Sequence, residues 1–213
     1  MRRLTTRPSA SLALPGLALA LALAFAVSVG PARAESGTDS VRALYATLLD
    51  AMRNGPSLGA RGRYARIEPM IGRVFDLPLM TRLAVGPSWA ALDATQQQRV
   101  TQAFGHYIAA VYADRFDSFA GEKLQVTGEQ QSSGGPLVLS EIVKSTGEPV
   151  HINYLMRQSG GGWRIADVYL NGTISELATR RSEFAAILRN HGVDGLIAAL
   201  DGKAAALGAA RTS

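Results

Sequence analysis

Three histidines, His106, His151 and His191, are the side chains in this sequence best suited to metal ligation or proton transfer, and the chain has no cysteine to assist them. None of the three belongs to an H-x-x-x-H or H-E-x-x-H spacing. A metal needs several ligands converging on one point, and the supply here is thin. Each histidine therefore reads as a surface or hydrogen-bonded residue. Carboxylate pairs are the next possibility. Asp114 and Asp117 lie three apart in a helical stretch and Asp167 lies in a strand, where they serve as readily for capping or solvation as for glycoside-type acid–base work. The run Gly160-Gly161-Gly162 joins two strands instead of opening a helix, so it is not a phosphate loop. No G-x-S-x-G elbow is present. The residues that could do chemistry are scattered, and no cofactor or metal is expected.

What the sequence does supply in quantity is apolar surface, set out on recognisable elements. Val41, Leu44, Tyr45, Leu48, Leu49 and Met52 recur at three- and four-residue steps and predict a helix over 38–54, stopped by Asn54-Gly55-Pro56. A weaker helical stretch is expected over 58–66, with Pro69 opening a separate turn that lasts to Val74. Asp76 before Leu77-Pro78 reads as an N-cap with an early-helix proline, and the short helix after it ends at Gly86-Pro87. Asp93 and Gln96 form a capping pair for a long helix reaching about Phe119. Val100, Phe104, Tyr107, Ile108, Val111, Tyr112 and Phe116 make its broad apolar side.

Beyond Gly121 the period changes from helical to alternating. Strands are expected over 123–130, 137–145, 149–158 and 162–170, joined by short turns that make neighbours antiparallel. Apolar residues on both faces, such as Tyr154 and Met156 on one and Val150 and Leu155 on the other, predict a deeply buried sheet. Thr173 with Glu176 reads as the start of a further helix that ends at His191-Gly192, with a last amphipathic turn over 193–200. The fold class is α+β: helices packed on a curved antiparallel sheet of four or more strands, enclosing an apolar cavity.

The ends of the chain set its location. Residues 1–34 have basic Met1-Arg2-Arg3 and Arg7, an apolar run from Leu17 to Val29, and Pro31-Ala32-Arg33-Ala34 as a small-x-small cleavage site. That is the pattern of a cleavable secretory signal peptide. Arg2-Arg3 alone does not define twin-arginine export. The precursor carries 22 Lys plus Arg against 17 Asp plus Glu, and the four arginines of the leader account for most of its net charge of +5. The mature chain is therefore near neutral, without a basic stripe, and nucleic acid is not an expected partner. Residues 35–201 are expected to form the single domain, with 202–213 as an Ala-rich disordered tail.

Three stretches together resemble a known family. They are Phe75-Asp76-Leu77-Pro78-Leu79-Met80 followed by Leu83-Ala84-Val85-Gly86 and Trp89; Gln96 to Phe119 with Phe104, Tyr107 and Tyr112; and Trp163-Arg164-Ile165-Ala166-Asp167-Val168, Asn171-Gly172-Thr173-Ile174-Ser175, Arg181-Ser182 and Phe184. These resemble the periplasmic MlaC, or toluene-tolerance, family of lipid-binding proteins. The order Asn171 to Phe184 looks closest to the hopanoid-associated HpnM branch. Leu177-Ala178-Thr179-Arg180-Arg181 stands where the phospholipid branch has an asparagine–tyrosine pair, and Asn171 where an acid is common.

The resemblance implies a periplasmic carrier. It would be a monomer that binds a hopanoid or phospholipid and exchanges it with an inner-membrane transporter of RND or ABC type. Its cavity is expected to be lined by Phe75, Leu79, Leu83, Phe104, Ile108, Tyr112, Tyr154, Met156, Val168, Leu170, Ile174, Leu177 and Phe184. Arg181 is expected to form a salt bridge with Asp167. Two rival readings stand beside it. One is a small cone-fold enzyme using a perturbed acid such as Asp167 or a deep tyrosine on an apolar substrate. The other is a transporter adaptor that holds no lipid.

Overall fold

Ser36 opens the first helix of the computed structural model, which describes residues 36–208; the expected signal peptide lies outside the described residues. In helix α1 (Gly37–Arg53) the Ser36 hydroxyl accepts from the Asp39 amide while the Asp39 carboxylate accepts from the Ser36 amide, a complete capping box. Its expected stripe, Val41, Leu44, Tyr45, Leu48 and Met52, is buried.

Helix α2 (Gly55–Val74) differs from the expectation of two pieces. It runs straight through Pro69 and breaks instead at Gly59, where φ is 62°. Pro69 and Ala65, the residue whose carbonyl loses its partner, are both exposed, so water can replace the missing bond, while Ile67, Ile71 and Val74 anchor the opposite face. At its start Gly55 is held against the chain that follows the long helix: a Cβ there would come within 1.9 Å of the Asp117 carbonyl oxygen.

Asp76 caps α3 (Leu77–Val85) as expected, accepting from the Leu79 amide at 3.2 Å. A 3-10 turn (Gly86–Ala91) leads to α4 (Ala94–Arg115), whose Asp93–Gln96 capping box is intact. Helix α4 stops at Arg115, four residues short of Phe119, because Phe116 has left helical geometry at φ −110° and ψ 57°. Asp93→Ala should cost about 1 kcal/mol, the usual worth of such a cap. The measurement is the denaturation midpoint at constant slope, and no change would show the cap to be idle.

Strands β1 (Lys123–Ser132), β2 (Gly135–Val143), β3 (Pro149–Ser159), β4 (Gly162–Leu170) and β5 (Ile174–Ser175) form one antiparallel sheet in that order. Irregularities between Val126 and Gly128 and between Leu155 and Met156 bend the strands and curve the sheet. Burial is graded across it. Edge strand β1 alternates between exposed and half-buried residues, whereas Ile165 to Val168 of β4 are buried on both faces. The sheet is therefore deeply buried only on the β4 side.

The last helix, α5 (Glu176–Ala206), starts at Ser175, not at Thr173. Ile174 and Ser175 are still paired with Leu170 and Tyr169, so the chain cannot turn helical earlier. The Ser175 hydroxyl then accepts from the Ala178 amide at 3.0 Å. Gly192 breaks α5 at φ 63°, where the sequence places the boundary, and the second segment continues to Ala206 with Ala204 buried. Residues 202–206 are thus packed helix, not tail; 209–213 lie outside the described residues. Among the described residues no helix is long and apolar enough to cross a membrane.

Candidate functional site

Alternate residues of neighbouring strands meet one face of a helix to form the main cavity, of about 690 Å³. From β3 it takes Val150, Ile152 and Tyr154, and from β4 Val168 and Leu170, all at the two-residue step of a strand face. Cross-strand pairing locks this wall together: Tyr154 lies opposite Val168, Ile152 opposite Leu170, and Ile142 of β2 opposite Val150. Helix α4 closes the other side with Phe104, Tyr107, Ile108, Val111, Tyr112 and Arg115, three or four apart. Phe75 and Met80 reach in from the start of α3, and Glu176, Leu177 and Arg180 from the first turns of α5.

Of the expected lining, Phe75, Phe104, Ile108, Tyr112, Tyr154, Val168, Leu170 and Leu177 stand on this wall. The others do not, each for a local reason. Met156 stays on the face of Tyr154, but it lies one step further along β3 under the start of α1, where a Cβ on Gly37 would come within 2.9 Å of its Cγ, and it is fully buried in the core. Phe184 lies two helical turns past Leu177 and packs edge-on against Phe104, with ring centres 5.7 Å apart, between α4 and α5. Leu79 is half-buried on α3 away from the cavity, and Leu83 on the same helix is 45 % exposed. Ile174, in the tiny β5, is 52 % exposed. Sequence reasoning missed Ile142, Val150 and Ile152; Val150 lies on the face of Ile152 and Tyr154, two and four residues on, and not on the face of Leu155 as expected. It also missed Tyr107, Val111 and Phe116 as lining, and the charged residues there.

Charged side chains also line the cavity, among them Arg115, Glu122, Lys144, Glu176 and Arg180. Arg180 pairs with Glu176 at 3.2 Å and Glu183 at 3.0 Å, and lies over the Tyr107 ring. Burial works against its charge, but Tyr107 and the two carboxylates outweigh it and hold the guanidinium more firmly protonated than usual. Lys144 is paired with Glu148 at 2.9 Å. Phenols line the cavity as well, those of Tyr107, Tyr112 and Tyr154. Burial raises the hydroxyls of Tyr112 and Tyr154 well above the ordinary tyrosine value, so both stay neutral.

Asp167 has a different role from the one expected. Its carboxylate accepts from the Val168 amide at 2.8 Å, the Ser175 hydroxyl at 2.6 Å and the Leu177 amide at 3.2 Å. It ties β4 to the head of α5 instead of pairing with Arg181, which lies beside Gly86. His106 is bonded to Tyr64 at 2.5 Å and to Glu68 at 2.9 Å; His151 and His191 are exposed. No group of metal-ligating side chains converges among the described residues. A second groove of about 680 Å³ lies between α2, α3 and α4, but it is shallower and edged by Gln97, Gln98 and Gln102.

A largely apolar cavity between a curved antiparallel sheet and helices suits an apolar ligand. The chain belongs to the MlaC family: the family model described as MlaC protein matches residues 42–202. MlaC proteins are periplasmic, lipid-binding carriers. The fold is shared with a solved phospholipid-binding protein from Ralstonia solanacearum in complex with a phospholipid. That protein is 22 % identical, with a TM-score of 0.69 over 81 % of this chain and 99 % of the other.

Proposed function

We propose that this chain is a periplasmic carrier that takes one lipid, a hopanoid, into the cavity and passes it between an inner-membrane transporter and an acceptor membrane. The observation that carries the reading is the largely apolar cavity of about 690 Å³ between the sheet and α4. Each buried methylene is worth about 0.8 kcal/mol, so a lipid rarely leaves a membrane unless a soluble protein offers comparable burial. At about 30 Å³ per methylene-sized group, the share a water takes in the liquid, the cavity holds on the order of two dozen carbons. That favours one compact polycyclic body over two long acyl chains inserted whole. The Asn171 to Phe184 block adds weight on the same side.

A phospholipid cargo is the second reading, favoured by the phospholipid bound to the Ralstonia relative. The enzyme reading loses its acid, since both Asp167 oxygens are engaged in capping. The empty-adaptor reading fits poorly with so large a cavity. The test is purification from the natural host followed by native mass spectrometry and lipid extraction. The expected result is a chain beginning at Glu35 with one bound polycyclic lipid. Bound diacyl lipid would transfer the proposal to phospholipid, and repeated recovery of an empty protein would end the carrier reading.

A further inference from the structure

Three cations line the cavity, and one of them is held in place. Arg115 and Lys144 are exposed, whereas the Arg180 side chain is 16 % exposed and its hydrogen bonds can be counted. Its Nη1 donates to both oxygens of Glu183, at 3.1 and 3.0 Å, and its Nη2 donates to Oε2 of Glu176 at 3.2 Å. A guanidinium has five N–H groups, so these three bonds leave Nε–H and one Nη2–H without an acceptor. Among the described residues no fully buried side-chain nitrogen lacks a partner, so Nε borders open space, and the space that Arg180 lines is the cavity. Glu183, which takes Nη1, is not on the cavity wall; Glu176, beside Nη2, is. The satisfied corner of the guanidinium therefore lies against its own helix and the spare donors lie on the cavity side. The local charge is already balanced. Glu183 also lies 3.8 Å from the Lys203 ammonium, which stands over the same Tyr107 ring as Arg180. Two cations thus face two carboxylates.

We propose that Arg180 is the polar anchor of the cargo, and that it takes an uncharged oxygen (a ketone, ether or hydroxyl) on an otherwise apolar body. The inference rests on the carrier reading and narrows its cargo. A pure hydrocarbon drives water from the cavity and offers the spare N–H groups nothing in return, and a donor left unmade is costly, most of all on a charged group. An acceptor oxygen completes them. A phosphate or sulfate also accepts, but it adds a third negative charge beside Glu176 and Glu183 and leaves the desolvated cluster unbalanced. A neutral oxygen makes the bonds and keeps the balance.

The test is displacement of anilinonaphthalene sulfonate from the purified protein by cholestane, cholestanone, cholestanol sulfate and dioleoylphosphatidylglycerol. The three polycyclic competitors share a skeleton and differ in the oxygen group, and ratios taken within one variant cancel any change in the affinity of the dye. Cholestanone should compete about tenfold better than cholestane, a ratio equal to about 1.4 kcal/mol, and better than the sulfate. In Arg180→Met the ketone and the hydrocarbon should compete alike. Glu176→Gln keeps the guanidinium and removes one carboxylate, so the sulfate should gain about tenfold on the ketone. A merely structural role for Arg180 shifts all competitors together and predicts neither change, and Glu176→Gln decides the matter even if Arg180→Met does not fold. Equal competition by ketone and hydrocarbon in the unaltered protein, a ketone preference that survives Arg180→Met, or an unmoved sulfate in Glu176→Gln overturns the proposal while leaving the carrier reading intact. Displacement by the phospholipid alone also overturns it and leaves a phospholipid carrier. If nothing displaces the dye, both readings fall together.

Discussion

Ile108→Glu should reduce lipid affinity by more than 100-fold while leaving the fold in place. Ile108 sits midway along the cavity-facing row of α4, one turn from Phe104 and one from Tyr112, and is half-buried in the described structure. Glutamate is a better helix former than isoleucine, so α4 is not weakened. In the empty protein the new carboxylate can reach water through the cavity. A bound lipid removes that water, and the charge must then be desolvated or neutralised. The effective penalty for an unpaired buried ion is several kcal/mol, and about 3 kcal/mol already exceeds 100-fold. The pH dependence has a definite sign. Lipid raises the carboxyl pKa above its free value of about 4.3, so binding should recover as pH falls toward that value and the group becomes neutral. Ile108→Gln, polar but uncharged, should lose less and show no such recovery. Probe displacement measured between pH 5 and 8 checks both points, and an unchanged affinity would remove α4 from the binding wall.

The apolar row on α4 was legible because a period of 3.6 places 104, 108, 111 and 112 on one side whatever the helix meets. Strand limits were legible because the turns are rich in glycine. Two features were hidden for physical reasons. Met156 does continue the face of Tyr154, but the start of α1 at Gly37 covers that end of the strand, a tertiary contact that the alternation of β3 cannot show. The two-residue β5 is held by pairing with Tyr169 and Leu170, a tertiary contact that moves the cap from Thr173 to Ser175.

Asp167→Ala should be the most destabilising of these substitutions, by about 3 to 5 kcal/mol. The carboxylate is buried and anchors the head of α5 from the neighbouring strand. Hydrogen bonds to a charged group contribute about 1.5–3 kcal/mol each, though members of one network do not add fully. Without it, the amides of Val168 and Leu177 are left without their acceptor and Ser175 loses the oxygen that orients it as a cap. At 2–4 °C per kcal/mol for a domain of this size, the melting temperature should fall on the order of 10 °C. The geometry also predicts how a milder change behaves. Both amides share one oxygen, Oδ1, and only the Ser175 hydroxyl uses Oδ2. Asp167→Asn can keep its carbonyl on the two amides, so it should cost less than half as much. Had Asp167 been paired with Arg181, Arg181→Ala would cost nearly as much as Asp167→Ala; here the exposed Arg181 should change stability by no more than about 0.5 kcal/mol. The effect should extend to binding. Glu176, Leu177 and Arg180 reach the cavity from the turns that Asp167 holds, so Asp167→Ala should weaken lipid retention below its own melting transition, and Arg181→Ala should not. Equal losses in the two variants would return Asp167 to the ion-pair role.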